Sequence, residues 1–333
     1  MQCSLHGRVV ADIMASRRSK SKAGFSVEHH GRQIHVIKVD DTSTKDWEQW
    51  ILLRSDAHHD SKHCRRDIEL RHLQEAVDRN AIVLDLGDCL DLMQGRGDNR
   101  ASKSSLRSGL LASNYFDRVI REAAEFYTQK HNGIHLSRQF ALIGQGNHES
   151  AWLKFHETCP TDNLVRAIRT CDPDSPVGAG AYGGYVHLQF SFNGNTKRAF
   201  TIRYMHGASS GGIMSMGALD AKRAASWIVD ANLIAIGHTH DSMVVPLPRE
   251  RFRVHNGKYR IENEDVGFVR VGTYKDEFYQ TEGMGWAVER GGGPKPLRAK
   301  WLRLYPVWEY ARGQSKSTHR GIFRLGWDVI DAT

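Results

Sequence analysis

From Trp50 onward, apolar runs alternate with segments of helical period, the pattern of strand-helix units carrying a largely parallel sheet. Ile51 to Leu53 predicts a strand. Cys64, Ile68, Leu73, Ala76 and Val77 then recur at helical spacing before Asn80, a C-cap, and predict a helix of about five turns. Ala81 to Leu86 reads as the next strand, Phe116, Val119, Ile120, Ala123 and Phe126 mark the next helix face, and Phe140 to Ile143 predicts a third strand. After a helical stretch from Ala151 to Cys171 the period falls to two. Tyr185 to Met205 alternates around Asn193-Gly194, and Phe252 to Ile261 around Asn256-Gly257, both hairpin signals. Upstream, two β-prone runs flank His30-Gly31 between Phe25 and Val39 and predict a hairpin on the domain edge. Strand-helix units followed by β-rich segments imply an α/β fold in which a second sheet packs on the first, a two-sheet sandwich flanked by helices. No internal repeat is apparent.

Composition narrows the organisation. The 333 residues are 40% hydrophobic and 25% charged, enough for one substantial core. The expected division is a basic arm and hairpin over residues 1–45, a catalytic domain over 46–275, and a basic, aromatic-rich segment over 276–333 packed on that core. No apolar run precedes a small-residue cleavage site near Met1 and none approaches a membrane span, so a soluble, cytoplasmic protein without a membrane partner is expected. The five cysteines lack a C-x-x-C pair, which argues against a disulfide framework or a structural zinc site. The formal charge is +8. Its source is local: between Arg290 and Gly326, a run of lysines and arginines meets one acidic residue, Glu309. An anionic partner is favoured.

Five clusters of metal-ligand residue types follow, or nearly follow, strand candidates: Asp56-Ala57-His58, Gly87-Asp88, Gly146-Asn147-His148-Glu149, His206-Gly207 and Gly237-His238-Thr239-His240. The carboxyl ends of strands in an open α/β sheet are where ligands bind, because loops converge there on a rigid frame. In Asp56-x-His58 and His238-x-His240, extended backbone would place both side chains of a pair on one side. Mixed carboxylate, imidazole and amide donors suit Mn, Fe or Zn. The donors exceed what one tetrahedral ion needs, whereas two ions sharing a carboxylate would use them all.

Together these blocks, with Gly87-Asp88-x-x-Asp91, resemble the signature blocks of the calcineurin-like metallophosphoesterase superfamily over roughly residues 50–241. The resemblance implies a four-layer α/β/β/α architecture and two divalent metal ions, most readily Mn. Asp56, His58 and His240 would bind one ion, Asn147, His206 and His238 the other, and Asp88 would bridge them. The reaction implied is in-line attack at phosphorus by a metal-bound hydroxide, with His148 as the general acid. No Arg follows Asp91, which disfavours the phosphoprotein phosphatase branch.

His59, Asp60 and Asp91 are either supporting groups behind the ligands or solvated surface. Arg96, Arg100 and Arg107, in a basic loop over residues 94–109, are candidate substrate contacts. With the basic C-terminal segment they favour a phosphodiesterase or nuclease acting on nucleic acid or a nucleotide. A phosphomonoesterase acting on a small metabolite is the alternative, and a non-catalytic binding module on the same fold is the alternative of another class. Trp301, Tyr305 and Trp308 could stack bases or pack on the core, and packing is the expected fate of the tryptophans. The sequence leaves the oligomeric state open.

Overall fold

The alternating and continuous apolar runs form strands, and the segments of helical period form helices, in a computed structural model that describes residues 24–42, 47–94, 106–110, 113–192, 196–207, 217–255, 257–278, 288, 292–309 and 322–333. In chain order the elements are β1 (Phe25–His30), β2 (Ile34–Thr42), β3 (Gln49–Arg54), α1 (Arg66–Asp78), β4 (Ile82–Asp85), α2 (Tyr115–Tyr127), β5 (Lys130–His131), β6 (Ile134–His135), β7 (Phe140–Ile143), α3 (Asn147–His156), α4 (Pro160–Cys171), β8 (Gly178–Ala179), β9 (Gly183–Phe192), β10 (Thr196–Met205), α5 (Ala218–Trp227), β11 (Leu233–Ile236), β12 (Ser242–His255), β13 (Lys258–Val271), β14 (Ala299–Glu309) and β15 (Ile322–Ala332). One large sheet has the order β1-β2-β9-β10-β11-β13-β12, the other β15-β14-β3-β4-β7-β8.

Period-two alternation sorts residues into layers. Ile51, Leu53, Ile82 and Leu84 face Val186, Leu188, Ile202, Tyr204, Leu233 and Val269 across the sandwich. Leu52, Val83 and Phe140 face the opposite way, onto Leu73, Ala76 and Val77 of α1, Val119, Ala123 and Tyr127 of α2, and Leu164 and Ile168 of α4. On the far side, Ala221 and Ala224 of α5 cover Ile234, Ile236 and Phe268. The order is therefore helix, sheet, sheet, helix. Strand β3 is buried on both faces, and fully burying each of its leucines contributes about 1.5–3 kcal/mol. No helix among the described residues is long and apolar enough to cross a membrane.

Several boundaries differ from the sequence expectation for physical reasons. Helix α1 starts at Arg66, because Cys64 is committed to a bridge with Lys275, so the helix is shorter than five turns. The helical stretch after Ala151 is two helices. The first begins at Asn147 and ends where Glu157 adopts a left-handed backbone, and the second starts at Pro160, whose fixed φ and missing N–H suit a first turn. The N-terminal hairpin is joined to the sandwich, since β2 pairs in parallel with β9. The C-terminal segment supplies two strands to the second sheet, with β14 paired to β3 from Lys300↔Leu53 to Leu304↔Gln49. Trp301 is buried at 1% exposure within that sheet, the packing fate expected for it. Residues 310–321, with Arg312, Lys316 and Arg320, lie outside the described residues.

Candidate metal centre

Strands β3, β4 and β7 run parallel in one sheet, and β10, β11 and β13 run parallel in the other. Asp56 and His58 follow β3, Asp88 follows β4, Asn147 and His148 open α3 after β7, His206 follows β10, and His238 and His240 follow β11. The paired ligands do not use extended backbone, contrary to the i, i+2 argument. Asp56, His58, Asp88, His238 and His240 all carry left-handed φ values of 55°, 47°, 50°, 70° and 58°. Each such residue costs roughly 1–3 kcal/mol and persists only where its surroundings over-determine it. Backbone bonds provide that constraint: Asp56 N–H donates to the Gly87 carbonyl at 3.0 Å, His58 N–H to the Asp88 carbonyl at 3.0 Å, and Tyr274 N–H to the Asp56 carbonyl at 3.1 Å. Close approach fixes two glycines. A Cβ on Gly146 would lie 2.0 Å from Asp88 Oδ1, and one on Gly237 would lie 2.7 Å from Asp56 Oδ2, so any side chain there would displace a carboxylate.

These turns bring all seven expected ligands together in two adjacent groups. In one, Asp56, His58 and His240 converge, with His240 Nε2 3.4 Å from Asp56 Oδ1 and 3.4 Å from His58 Nε2. In the other, Asp88, His206 and His238 converge, with His206 Nε2 3.0 Å from both Asp88 Oδ2 and Asn147 Oδ1, and His238 Nδ1 2.8 Å from Asn147 Oδ1. Asp88 Oδ2 also lies 4.0 Å from His58 Nε2 and 3.9 Å from His148 Nε2, so this carboxylate stands between the groups.

The donor set fits divalent cations. Asp56 Oδ1 is buried with no hydrogen-bond partner, yet faces imidazole nitrogens of His58, His206 and His240 within 4.0 Å. Burial alone raises the Asp56 carboxyl, but the adjacent imidazoles of His240 and His206 outweigh it and bring it down to about 2. Burial lowers His206, and the Asp88 carboxylate reverses this and carries it up to about 10. His58 is brought down to about 4, first by burial and then by the Lys275 charge. Positive charge on His206 thus answers the neighbouring carboxylates, whereas His58 is held neutral.

No family model matches the sequence. No curated protein matches it either. Two solved structures are similar in part: a conserved uncharacterized protein described as a predicted phosphoesterase from Streptococcus pneumoniae TIGR4, at 12% identity over 85% of this chain and 99% of that one with a TM-score of 0.28, and a metallophosphoesterase from Sphaerobacter thermophilus, at 13% identity over 84% and 88% with a TM-score of 0.31. Likeness at that level carries no argument about activity. The chemistry rests on the site itself.

Behind the ligands, His148 donates its backbone N–H to Asp88 Oδ1 at 2.9 Å, and its ring Nδ1 bonds the Asp91 carbonyl, which turns Nε2 toward the cluster. Asp91 Oδ1 lies 2.8 Å from His58 Nδ1. Asp60 accepts the N–H groups of Asp91 and Leu92 and the Tyr115 hydroxyl. His59 turns away from the cluster to Glu69 at 3.3 Å and Arg66 at 2.5 Å. All three of His59, Asp60 and Asp91 are buried, which removes the solvated-surface reading. Arg107 forms an ion pair with Glu122 of α2, and Arg96 and Arg100 lie outside the described residues.

Sequence reasoning missed the role of Glu149 and two further contributors. Glu149 accepts the N–H groups of Gly146, Asp88 and Leu90, clamping two ligand loops to each other. Thr273 to Glu277 forms a further converging segment beyond β13, and its signal was a glycine followed by polar residues after an apolar strand, as at Gly87, Gly146 and Gly237. Arg54, the last residue of β3, is wholly buried between Asp85 at 2.9 Å and Glu69 at 2.8 Å. Burial raises Glu69, but Arg54, then His59 and Tyr127, bring it down to about 2. Removing one partner of a buried ion pair strands the other charges, so Arg54→Met should cost about 3–5 kcal/mol. Urea unfolding checks this, and a loss below about 1 kcal/mol would show that the pairs contribute little to stability.

Proposed function

We propose that the chain is a dinuclear metal-dependent phosphoester hydrolase, with Mn favoured over Fe or Zn, acting on phosphodiesters. The observation that carries this reading is the placement of Asp88 between two ligand groups, with His148 Nε2 facing the same carboxylate. Asp56, His58 and His240 would hold one ion, and Asn147, His206 and His238 the other, with Asp88 shared. Such a pair of ions, when bound, lowers the pKa of water and offsets charge on phosphoryl oxygens. His148 is held by its Nδ1 bond to the Asp91 carbonyl, so its Nε2 is free to give a proton to the departing oxygen. Low solvent exposure around Asp56, Asp88 and His206 strengthens every electrostatic contact in the site.

Support for a diester comes from the cations. Arg66 and Arg107 are drawn to Glu122, and Lys275 to Asp91 and Glu277, so these charges are engaged already, whereas a doubly charged monoester asks more of a site than a singly charged diester. The nucleic-acid version of this reading has less behind it. Arg298 and Lys300 pair with Asp331, and Arg303 pairs with Asp328, within the β14–β15 hairpin.

The test is a panel on metal-stripped protein restored with Mn: bis-p-nitrophenyl phosphate, p-nitrophenyl phosphate, cyclic nucleotides, and single- and double-stranded DNA. Turnover that vanishes with chelator, returns with Mn and favours diester over monoester is expected. Two bound ions with no turnover on any of these would leave a binding module. For DNA, a KM that stays flat between ~50 and ~200 mM salt would remove the polyanion, since each phosphate contact makes binding salt-dependent.

A further inference from the structure

Two of the proposed metal-binding histidines have carboxylates behind them, and one lysine ties those carboxylates together. Lys275 Nζ lies 2.9 Å from Asp91 Oδ1 and 3.0 Å from Glu277 Oε1. Asp91 Oδ1 is in turn 2.8 Å from His58 Nδ1, and Glu277 Oε2 is 3.8 Å from His240 Nδ1. Lys275 is buried at 7% exposure, and a buried ammonium carries a desolvation cost that simple packing would avoid with an apolar side chain of the same length. Its backbone is fixed to the same loop, because Lys275 N–H donates to Thr273 Oγ1 and that hydroxyl donates to the Asp56 carbonyl, both at 2.9 Å. His58 Nδ1 and His206 Nδ1 both lack a well-aligned hydrogen bond, but among the described residues a carboxylate, Asp91, faces only the first, and His238 Nδ1 points into the cluster at Asn147.

We infer that Lys275 is a positioning residue for one ion of the pair, holding Asp91 and Glu277 so that they aim the Nε2 atoms of His58 and His240. This rests on the dinuclear reading above. An outer hydrogen-bond partner of a metal-bound histidine fixes its ring and tautomer, and losing one lowers affinity by roughly 10- to 100-fold. Because Lys275 holds one carboxylate 2.8 Å from His58 Nδ1 and another at the longer distance of 3.8 Å from His240 Nδ1, both on one side of the site, its loss should weaken one ion and spare the other.

The experiment is a titration of metal-free full-length protein with Mn(II), followed by calorimetry and electron paramagnetic resonance, on wild type, Lys275→Met and Glu277→Gln. Wild type should bind two ions and give an exchange-coupled signal. Lys275→Met should give a single-ion six-line signal at the Mn concentration that couples wild type, and should need tenfold or more additional Mn to couple. Glu277→Gln should shift the same step in the same direction by less. A simple packing role would lower Tm in these variants and leave both affinities and the signal unchanged, which would overturn the inference. If Lys275→Met does not fold, Glu277→Gln decides alone, and wild-type affinities there overturn it. If wild type gives no coupled pair, the dinuclear reading fails and takes this inference with it. A wild-type pair that both variants keep overturns the lysine role alone.

Discussion

Asp88→Asn is expected to abolish turnover and loosen both ions together. Its carboxylate is placed against both ligand sets, 3.0 Å from His206 Nε2 and 4.0 Å from His58 Nε2, whereas Asp56 lies nearest His240 at 3.4 Å and reaches His206 only at 4.0 Å. Burial alone would raise the Asp88 carboxyl, but His206 and His148 hold it well below the usual range, so the group stays anionic. An amide keeps the shape and removes the charge, and its one carbonyl oxygen cannot serve two cations as a carboxylate does. The loss should exceed the roughly 10- to 100-fold that follows removal of an outer hydrogen-bond partner. Asp56→Asn, by contrast, should weaken chiefly the ion shared with His58 and His240. Metal content by mass spectrometry and turnover on bis-p-nitrophenyl phosphate check both variants. One ion per chain at full wild-type activity would end the two-metal account.

His148→Ala is the second large effect, and its signature is selectivity. A general acid matters most when the leaving oxygen is basic, contributing about 10²–10⁴-fold, whereas p-nitrophenoxide departs without a proton. The variant should therefore lose alkyl diesters almost entirely and keep much of its p-nitrophenyl activity. Both ions should remain bound, because the His148 ring is anchored to the Asp91 carbonyl and is not one of the seven proposed ligands, although it lies close enough to His58 and Asp88 for loss of metal to be the telling alternative. Equal losses on the two leaving groups, or loss of metal, would place His148 elsewhere in the chemistry.

The five ligand blocks were legible in the sequence because each is a short polar cluster just beyond an apolar run, and local pattern marks strand ends well. Strand β7 matches its apolar run residue for residue. What was not legible is what depends on distant pairing. The Lys300 to Leu304 register against β3 joins residues some 250 positions apart, and nothing in the basic, aromatic composition of that segment announces a strand within the second sheet. Charges were misleading for the same reason. Arg107, Arg298, Lys300 and Arg303 read as free cations until the fold brings Glu122, Asp331 and Asp328 to them. The left-handed turns at Asp56, His58, Asp88, His238 and His240 carry no composition signal, since glycine is absent at those positions.

Neither ligand group belongs to one sheet. Asp56 and His58 come from the β3 side and His240 from β11; Asp88 and Asn147 come from the β4 and β7 side, and His206 and His238 from β10 and β11. A bound ion would then be a rivet through the seam of the sandwich, and the proposed catalysis would share its ligands with cohesion. Cation concentration becomes a structural variable: an ion present at 100 times its dissociation constant adds about 2.7 kcal/mol against unfolding. A chain stripped of metal would lose the proposed chemistry and, in the same event, a fastening between the two sheets.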